Sequence, residues 1–424
     1  MFFAPSNEPR SDGGTKPDMS PRLSPHGEST TDQLRVALID LWADPGTRNY
    51  TAPLAASLAS RPDVSLFLYL NRRTPLSLYE KAADESRRRL FRAPVGYRPF
   101  SSLLLQPFEM IRLVFRLWHD QPDLLHFSFM HPWLTILLPL LRLRFPIAVT
   151  WHDLSIHEGE RFLRHRLATR AMLKYAGVLF VHSENLREKA ISRFGVAPDR
   201  LAVVPHGTYE HWRQAVAAAA APEAQDRSPE KAVTFLFFGR ILPYKAPDIL
   251  FKAFGQLVKK HPEARLIVAG NGDLAPYQDL MAAIRTRLEL HNRTVSEDEA
   301  VALFRRSGVV VICHREVTQS GILFAAAAMD RAVIATSVGA LQETVQHGET
   351  GLLVPPEDVD ALARAMSWMI EHPSEQRQMG AALRRHISET HAPAVVAAAT
   401  VRGYRSMLNE RDETRKPRSA TQKD

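Results

Sequence analysis

Cysteine is nearly absent: the 424 residues include one, Cys313. That excludes a disulfide framework and any multi-cysteine zinc or iron–sulfur centre, and it fits a reducing compartment. Long apolar runs are missing as well. The longest, Pro132 to Leu141, is ten residues with a second proline inside it, against the ~20 apolar residues of a spanning helix. No transmembrane segment is expected. The opening MFFAPSNEPRSDGG has neither the basic start nor the apolar stretch of a secretory signal, so the expected location is cytoplasmic. What remains, 45% hydrophobic and 24% charged, is an ordinary globular composition, enough for two to three domains of about 150 residues each.

Negative charge is the scarcer sign. The chain has 54 Lys+Arg and 46 Asp+Glu, a net charge of +8. Residues 34–212 hold 24 basic and 16 acidic residues, whereas 231–404 hold 19 and 18. A surplus confined to one half points to an anionic partner there: an acidic membrane surface, an anionic substrate or nucleic acid. Nucleic acid is set aside, because the basic stretches lack the interleaved aromatics of a known module. The bland alternative is an Arg-rich composition without functional meaning.

Residues 1–33 are rich in Pro, Ser, Gly and charge and read as a disordered tail. RQAVAAAAAPEAQDRSPE, 213–230, reads as a linker or surface insertion, and 413–424 as a polar tail. Two blocks, 34–212 and 231–393, alternate short apolar runs with amphipathic stretches, and 394–412 reads as a helix that returns across the molecule. The first block predicts strands at Arg35–Ile39, Val64–Tyr69, Leu124–Phe127, Ile147–Thr150, Gly177–Val181 and Ala202–Val204. The second predicts them at Val233–Phe238, Arg265–Ala269, Gly308–Cys313, Ala332–Thr336 and Gly351–Val354. Strands alternating with helices such as Pro247–Lys260 and Asp358–Glu371 make parallel sheets. The expected fold is α/β, two doubly wound Rossmann-like domains facing across a cleft. Ligands in such sheets sit beyond the carboxyl ends of the strands.

Two stretches carry chemistry. In FFGRILPYKAPDIL, 237–250, a strand ends at Gly239 and a loop follows with Arg240 and Lys245 five apart. These cations would supply countercharge to a diphosphate; solvated surface cations are the alternative. In HREVTQSGILFAAAAMDRAVIATSVGALQETVQHGETGLLVPPED, Ser320 reads as an N-cap and Gly321 as a point of close backbone approach. Amides at that helix start form an anion site, and Gly339 follows the next strand as a second close-approach loop.

The order FGR-x-x-x-YK, R-E-x-TQSG, VIAT-x-VG-x-L-x-E and G-x-TGLLVPPED resembles the donor domain of the retaining, family 4 (group 1) glycosyltransferases, which have the GT-B fold. HDLSIHEG at 152–159, VHSENLREKA at 181–190 and VVPHG at 203–207 are similar to the interdomain face of that family's acceptor domain, and PGTRNY at 45–50 stands in the place of its first loop. The resemblance implies an acceptor domain at 34–212 and a nucleotide-sugar donor domain at 231–393. Arg240 and Lys245 would then face the leaving phosphate, helped by the Gly321 amide, with no metal and no cofactor beyond the donor. His152 corresponds to the active-site histidine beside the donor sugar; a packed or surface histidine is the alternative. His206 and Ser183 resemble cleft-lining positions.

The family's paired glutamates fall at Val317 and Ala325. Glu316, one place early, would substitute for the first; Ala325 cannot hold ribose hydroxyls. Glu343 stands where a nucleotide contact is expected, and Lys245-Ala246 replaces the usual Lys-Gly. RRRLFRAPVGYRPF (87–100) and LLLQPFEMIRLVFRLW (103–118) are basic and apolar; they suit either an anionic lipid surface or a core helix whose arginines reach solvent. The expected activity is transfer of a sugar, with retention, from a nucleotide-diphosphate sugar to a polysaccharide- or lipid-linked acceptor at the cytoplasmic face of a membrane. A non-catalytic nucleotide-sugar-binding protein and a sugar-nucleotide epimerase of the same fold are the alternatives.

Overall fold

A computed structural model of the chain describes residues 33–42, 45–80, 82–93, 106–152, 163–209, 212 and 233–415. The expected tail up to Asp32, the linker 213–230, most of HDLSIHEG and the end of the polar tail lie outside these residues.

The first sheet has seven strands: β1 (Leu34–Asp40), β2 (Val64–Asn71), β3 (Arg88–Phe91), β4 (Leu124–Phe127), β5 (Ile147–Thr150), β6 (Val178–Val181) and β7 (Leu201–Val203). Their order is β3-β2-β1-β4-β5-β6-β7 and every pairing is parallel. On one face lie α2 (Gln106–Asp120), α3 (Leu138–Arg144), α4 (Leu163–Tyr175) and α5 (Glu184–Phe194), packed through residues such as Leu113, Leu138, Met172 and Leu186. The other face is covered by α1 (Pro45–Ala59). PGTRNY, in the place of a first loop, opens that helix, with Pro45 suited to the first helical position.

The second sheet has six strands: β8 (Thr234–Phe238), β9 (Arg265–Ala269), β10 (Leu288–His291), β11 (Val309–Ile312), β12 (Ala332–Thr336) and β13 (Leu352–Val354). Their order is β10-β9-β8-β11-β12-β13, again all parallel. One face is covered by α6 (Pro247–Lys260), α7 (Gln278–Ala282) and, further along the chain, the helix Val359–Glu371. The other face carries α8 (Glu297–Arg306), α9 (Gly321–Ala328) and α10 (Gly339–Thr344). The helix Val359–Glu371 is α11, and α12 (Pro373–Thr390) closes the domain. The molecule is therefore two doubly wound parallel sheets, the GT-B arrangement.

The chain crosses between the two units twice. Tyr209 and Trp212, at the end of the first block, are buried in the second domain's core against Phe324 and Phe304. In return, α13 (Pro393–Arg415) packs on the first sheet beside α1. Its Tyr404 is fully buried and its hydroxyl lies 2.6 Å from His126 Nδ1 of β4. Helical structure runs three residues beyond the expected end at 412.

Candidate functional site

In each sheet the strand order reverses at one point, between β1 and β4 and between β8 and β11. A crevice opens where the loops diverge, and ligands of doubly wound sheets bind there. The loop after β8 carries Gly239, Arg240 and Lys245; the segment after β11 carries Arg315, Glu316, Val317 and Ser320. The two stretches singled out in the sequence therefore meet at the second sheet's reversal point.

Gly239 sits at φ +100°, and a Cβ there would lie 2.7 Å from Lys245 Nζ. The glycine is what lets the ammonium lie over the strand end. Lys245 is 7% exposed, and no carboxylate pairs with it among the described residues. Burial, and then the nearby Arg240 charge, bring its pKa down to about 8. Arg240 itself is exposed.

The lysine turn is held from below and from the side. Cys313 donates its thiol proton toward the Lys245 carbonyl at 3.3 Å, and burial pushes that thiol up to about 12. Arg315 donates to the Pro243 carbonyl, to both oxygens of Asp248 at 2.8 and 3.0 Å, and to Glu357 at 2.9 Å. Its amide also donates to the Tyr244 carbonyl. One guanidinium thus ties the turn to α6 and to the loop before α11. Ala246 closes the turn at φ +52° and ψ +51°, a left-handed conformation, which explains why glycine is the usual residue there.

The N-terminus of α9 joins this turn to the first domain. Ile322 borders Gly239, the Tyr209 hydroxyl lies 2.5 Å from where a Gly321 Cβ would be, and Phe324 stacks on His206 with centroids 4.8 Å apart. Ser320 occupies the N-cap position, but its hydroxyl makes no capping bond; it is buried and unbonded among the described residues. The expected cap is corrected accordingly: the Leu323 amide, which such a cap would take, donates to the Ser320 carbonyl at 3.1 Å instead.

Across the cleft, His152, His182 and His206 follow the carboxyl ends of β5, β6 and β7 by two, one and three residues. Because neighbouring parallel strands lie ≈ 4.8 Å apart, the three rings gather around Tyr50 with centroids 4.6, 5.0 and 5.5 Å from it. His152 also stacks on Phe129 at 3.9 Å. Its Nε2 donates to the Ser128 carbonyl at 3.0 Å, and His182 Nδ1 donates to the Val204 carbonyl at 2.9 Å. The remaining nitrogens, His152 Nδ1 and His182 Nε2, face each other at 2.9 Å. With both rings neutral neither of these carries a proton, so their bond needs a third proton and a unit positive charge on the pair. Burial and the neighbouring histidines hold His152 well below the usual imidazole range. A negative charge arriving in the cleft would oppose that pressure.

Other expected residues differ in exposure or partner from what the sequence suggests. Glu316 is exposed. Val317 and Ala325 are core residues at 5% and 2% exposure, which accounts for the absence of glutamate at both. Gly339, at φ +51°, is required because a Cβ would lie 1.9 Å from the Val317 carbonyl. Glu343, expected at a nucleotide, reaches across the cleft: its oxygens accept from the amides of Glu184 and Asn185 at 3.0 and 2.8 Å. Ser183 caps the same helix by accepting from Leu186 at 3.2 Å. Sequence reasoning missed His182, Tyr209 and Arg315 as parts of this arrangement. For His182 the signal was present, as one of three histidines at consecutive strand ends.

Two family models match the chain, one to each half: glycosyl transferases group 1 over 232–372 and the glycosyl transferase 4-like domain over 45–207. A D-inositol 3-phosphate glycosyltransferase of Streptomyces scabiei is 30% identical over 251 residues, 56% of each chain. That of Kineococcus radiotolerans is 27% identical over 264 residues, 58% of this chain and 60% of its own. The matched stretch is thus little more than half of these relatives. Among solved structures, Anabaena HepE in complex with UDP and glucose superposes with a TM-score of 0.65 at 17% identity, covering 88% of this chain and all of its own. A sucrose-phosphate synthase from Thermosynechococcus elongatus gives 0.66 at 21%, covering 89% and 100%. The chain thus joins a glycosyl transferase 4-like domain to a glycosyl transferases group 1 domain, in that order on this two-sheet fold.

Proposed function

We propose that the chain transfers a sugar from a nucleotide-diphosphate sugar, with retention, to a polysaccharide- or lipid-linked acceptor. The observation that carries this reading is Lys245, a buried ammonium without a carboxylate partner among the described residues, at the reversal point of the second sheet. A buried cation calls for an anion, and a leaving diphosphate has the charge to match. Fixed positive groups aimed at a leaving phosphate are a large catalytic term. In this reading Lys245 and Arg240 hold the diphosphate, Ser320 and the Gly321 amide receive its oxygens, and His152 flanks the sugar. The reading assigns the countercharge to side chains and calls for no metal or further cofactor. Its setting is the cytoplasmic face of a membrane. No helix among the described residues is long and apolar enough to cross one.

Thermal unfolding with UDP, GDP and ADP tests the site, because a ligand of the folded state raises the midpoint with concentration. One nucleotide should give a shift that Lys245→Ala removes, and the same variant should lower transfer by about two orders of magnitude. The product's anomeric configuration, read by NMR, tests retention. The burial of Val317 and Ala325 favours one other reading, a protein that binds the nucleotide sugar without transferring it. A full nucleotide shift with neither transfer nor slow donor hydrolysis would select that one.

A further inference from the structure

Ten large apolar side chains stand exposed among the described residues, and eight of them lie on one layer of the first domain. Phe108, Ile111, Phe115 and Trp118 recur at helical spacing along α2, at 50–67% exposure. Ile136, Leu140 and Leu143 continue the surface on the turn before α3 and on α3, the last of these 78% exposed. Leu167 adds α4. These helices cover the same face of the sheet, and α2 and α3 are tied at their ends by Arg144 donating to Gln121 Oε1 at 2.7 Å. The opposite side of α2 buries Leu113 and Leu117, so the helix presents apolar residues both to the core and outward. A core requirement explains only the inner set.

Among the described residues, exposed charge on α2, α3 and α4 has one sign. Arg116 stands exposed among the aromatics of α2, and α3 ends in Arg142 and Arg144. On α4, Arg166, Arg170 and Lys174 line the exposed side, and that helix has no acidic residue. The two carboxylates of α2 are engaged inward: Glu109 lies against Arg112, and Asp120 is buried against Arg89 at 2.7 Å. Exposed Phe, Trp and Leu set among arginines, with no exposed carboxylate on the three helices themselves, match the interface of a bilayer bearing anionic lipid. A protein partner would require no such uniform charge.

We infer that the outer faces of α2, α3 and α4 form a docking surface for an anionic lipid leaflet, with the aromatic stripe of α2 entering the headgroup layer. The helices start at the carboxyl ends of their strands, the end that faces the cleft. Docking through this layer therefore keeps the cleft mouth close to the headgroups, within reach of a lipid-linked acceptor. The surface itself does not depend on the transfer reading, and binding is measured without turnover.

The test is flotation of the full chain with vesicles of phosphatidylcholine mixed with phosphatidylglycerol, against phosphatidylcholine alone, at low and high salt. The wild type should float with the mixed vesicles and be released by salt. Phe115→Ser/Trp118→Ser and Arg166→Glu/Arg170→Glu should each weaken binding by about tenfold or more, with unchanged thermal midpoints because all four side chains are exposed. Failure of the wild type to float, or flotation of both variants as strongly as wild type, overturns the inference. A concentration-dependent dimer in sedimentation, broken by Phe115→Ser/Trp118→Ser in a chain that ignores vesicles, would overturn it in favour of a second copy of the chain.

Discussion

A lysine whose pKa is lowered to about 8 makes the fold pay for holding a charge out of water. The unfolded chain keeps that proton up to the ordinary lysine range, so between about pH 8 and the usual lysine value of 10.5 the unfolded state binds more protons. The contribution of Lys245 to stability therefore rises with pH across that window, and the full penalty is present below it. Lys245→Met should stabilise the protein by on the order of 3 kcal/mol at neutral pH while abolishing nucleotide binding. In urea unfolding at pH 7 and pH 10 the gain should shrink at the higher pH; an equal gain at both would mean the ammonium is solvated. Wild-type nucleotide affinity should fall as pH rises through 8. The residue types of this site were legible in the sequence, since Arg240, Lys245 and Ser320 stand beside strand ends. Their states were not. Neither the absence of a carboxylate beside Lys245 among the described residues nor the core positions of Val317 and Ala325 follow from spacing, because both depend on what distant segments place around them.

Among elements, the buried strands were the readable ones. Ile147–Thr150 and Ala332–Thr336 are fully buried, so their apolar runs announce them, and they occur at the expected bounds. The edge strands β3 and β10, with sequences RRLF and LELH, went unread. Each pairs on one side only and is half-exposed, so it carries charge that the fully buried inner strands β5 and β12 lack. The element at the centre of the site, the lysine turn, closes through its own backbone bonds and is braced from outside by Arg315. Arg315→Gln should lower kcat/KM for the nucleotide sugar by about ten- to a hundredfold through misplacement of Lys245. Arg315→Lys should fail to restore it, because one ammonium cannot serve Pro243, Asp248 and Glu357 together. A loss confined to thermal stability, with kcat/KM intact, would reduce Arg315 to a structural residue.

At the scale of the molecule, the two domains are joined by more than chain crossings. Glu343 of the second domain accepts from the first amides of α5 in the first, a carboxylate placed at the positive end of a helix dipole and contributing about 1 kcal/mol at low salt. Glu343→Ala should enlarge the radius of gyration in small-angle scattering, and added salt should do the same to the wild type. If Glu343 instead serves the nucleotide, the variant will lose nucleotide affinity while the scattering stays unchanged. The other join, α13, has a consequence for how the protein is made. Val396, Tyr404 and Met407 complete the core beneath α1, yet a ribosome delivers them only after all of the second domain. The first domain to be synthesised is therefore the last to be finished, and its sheet waits with one flank partly uncovered while the second domain is already able to fold.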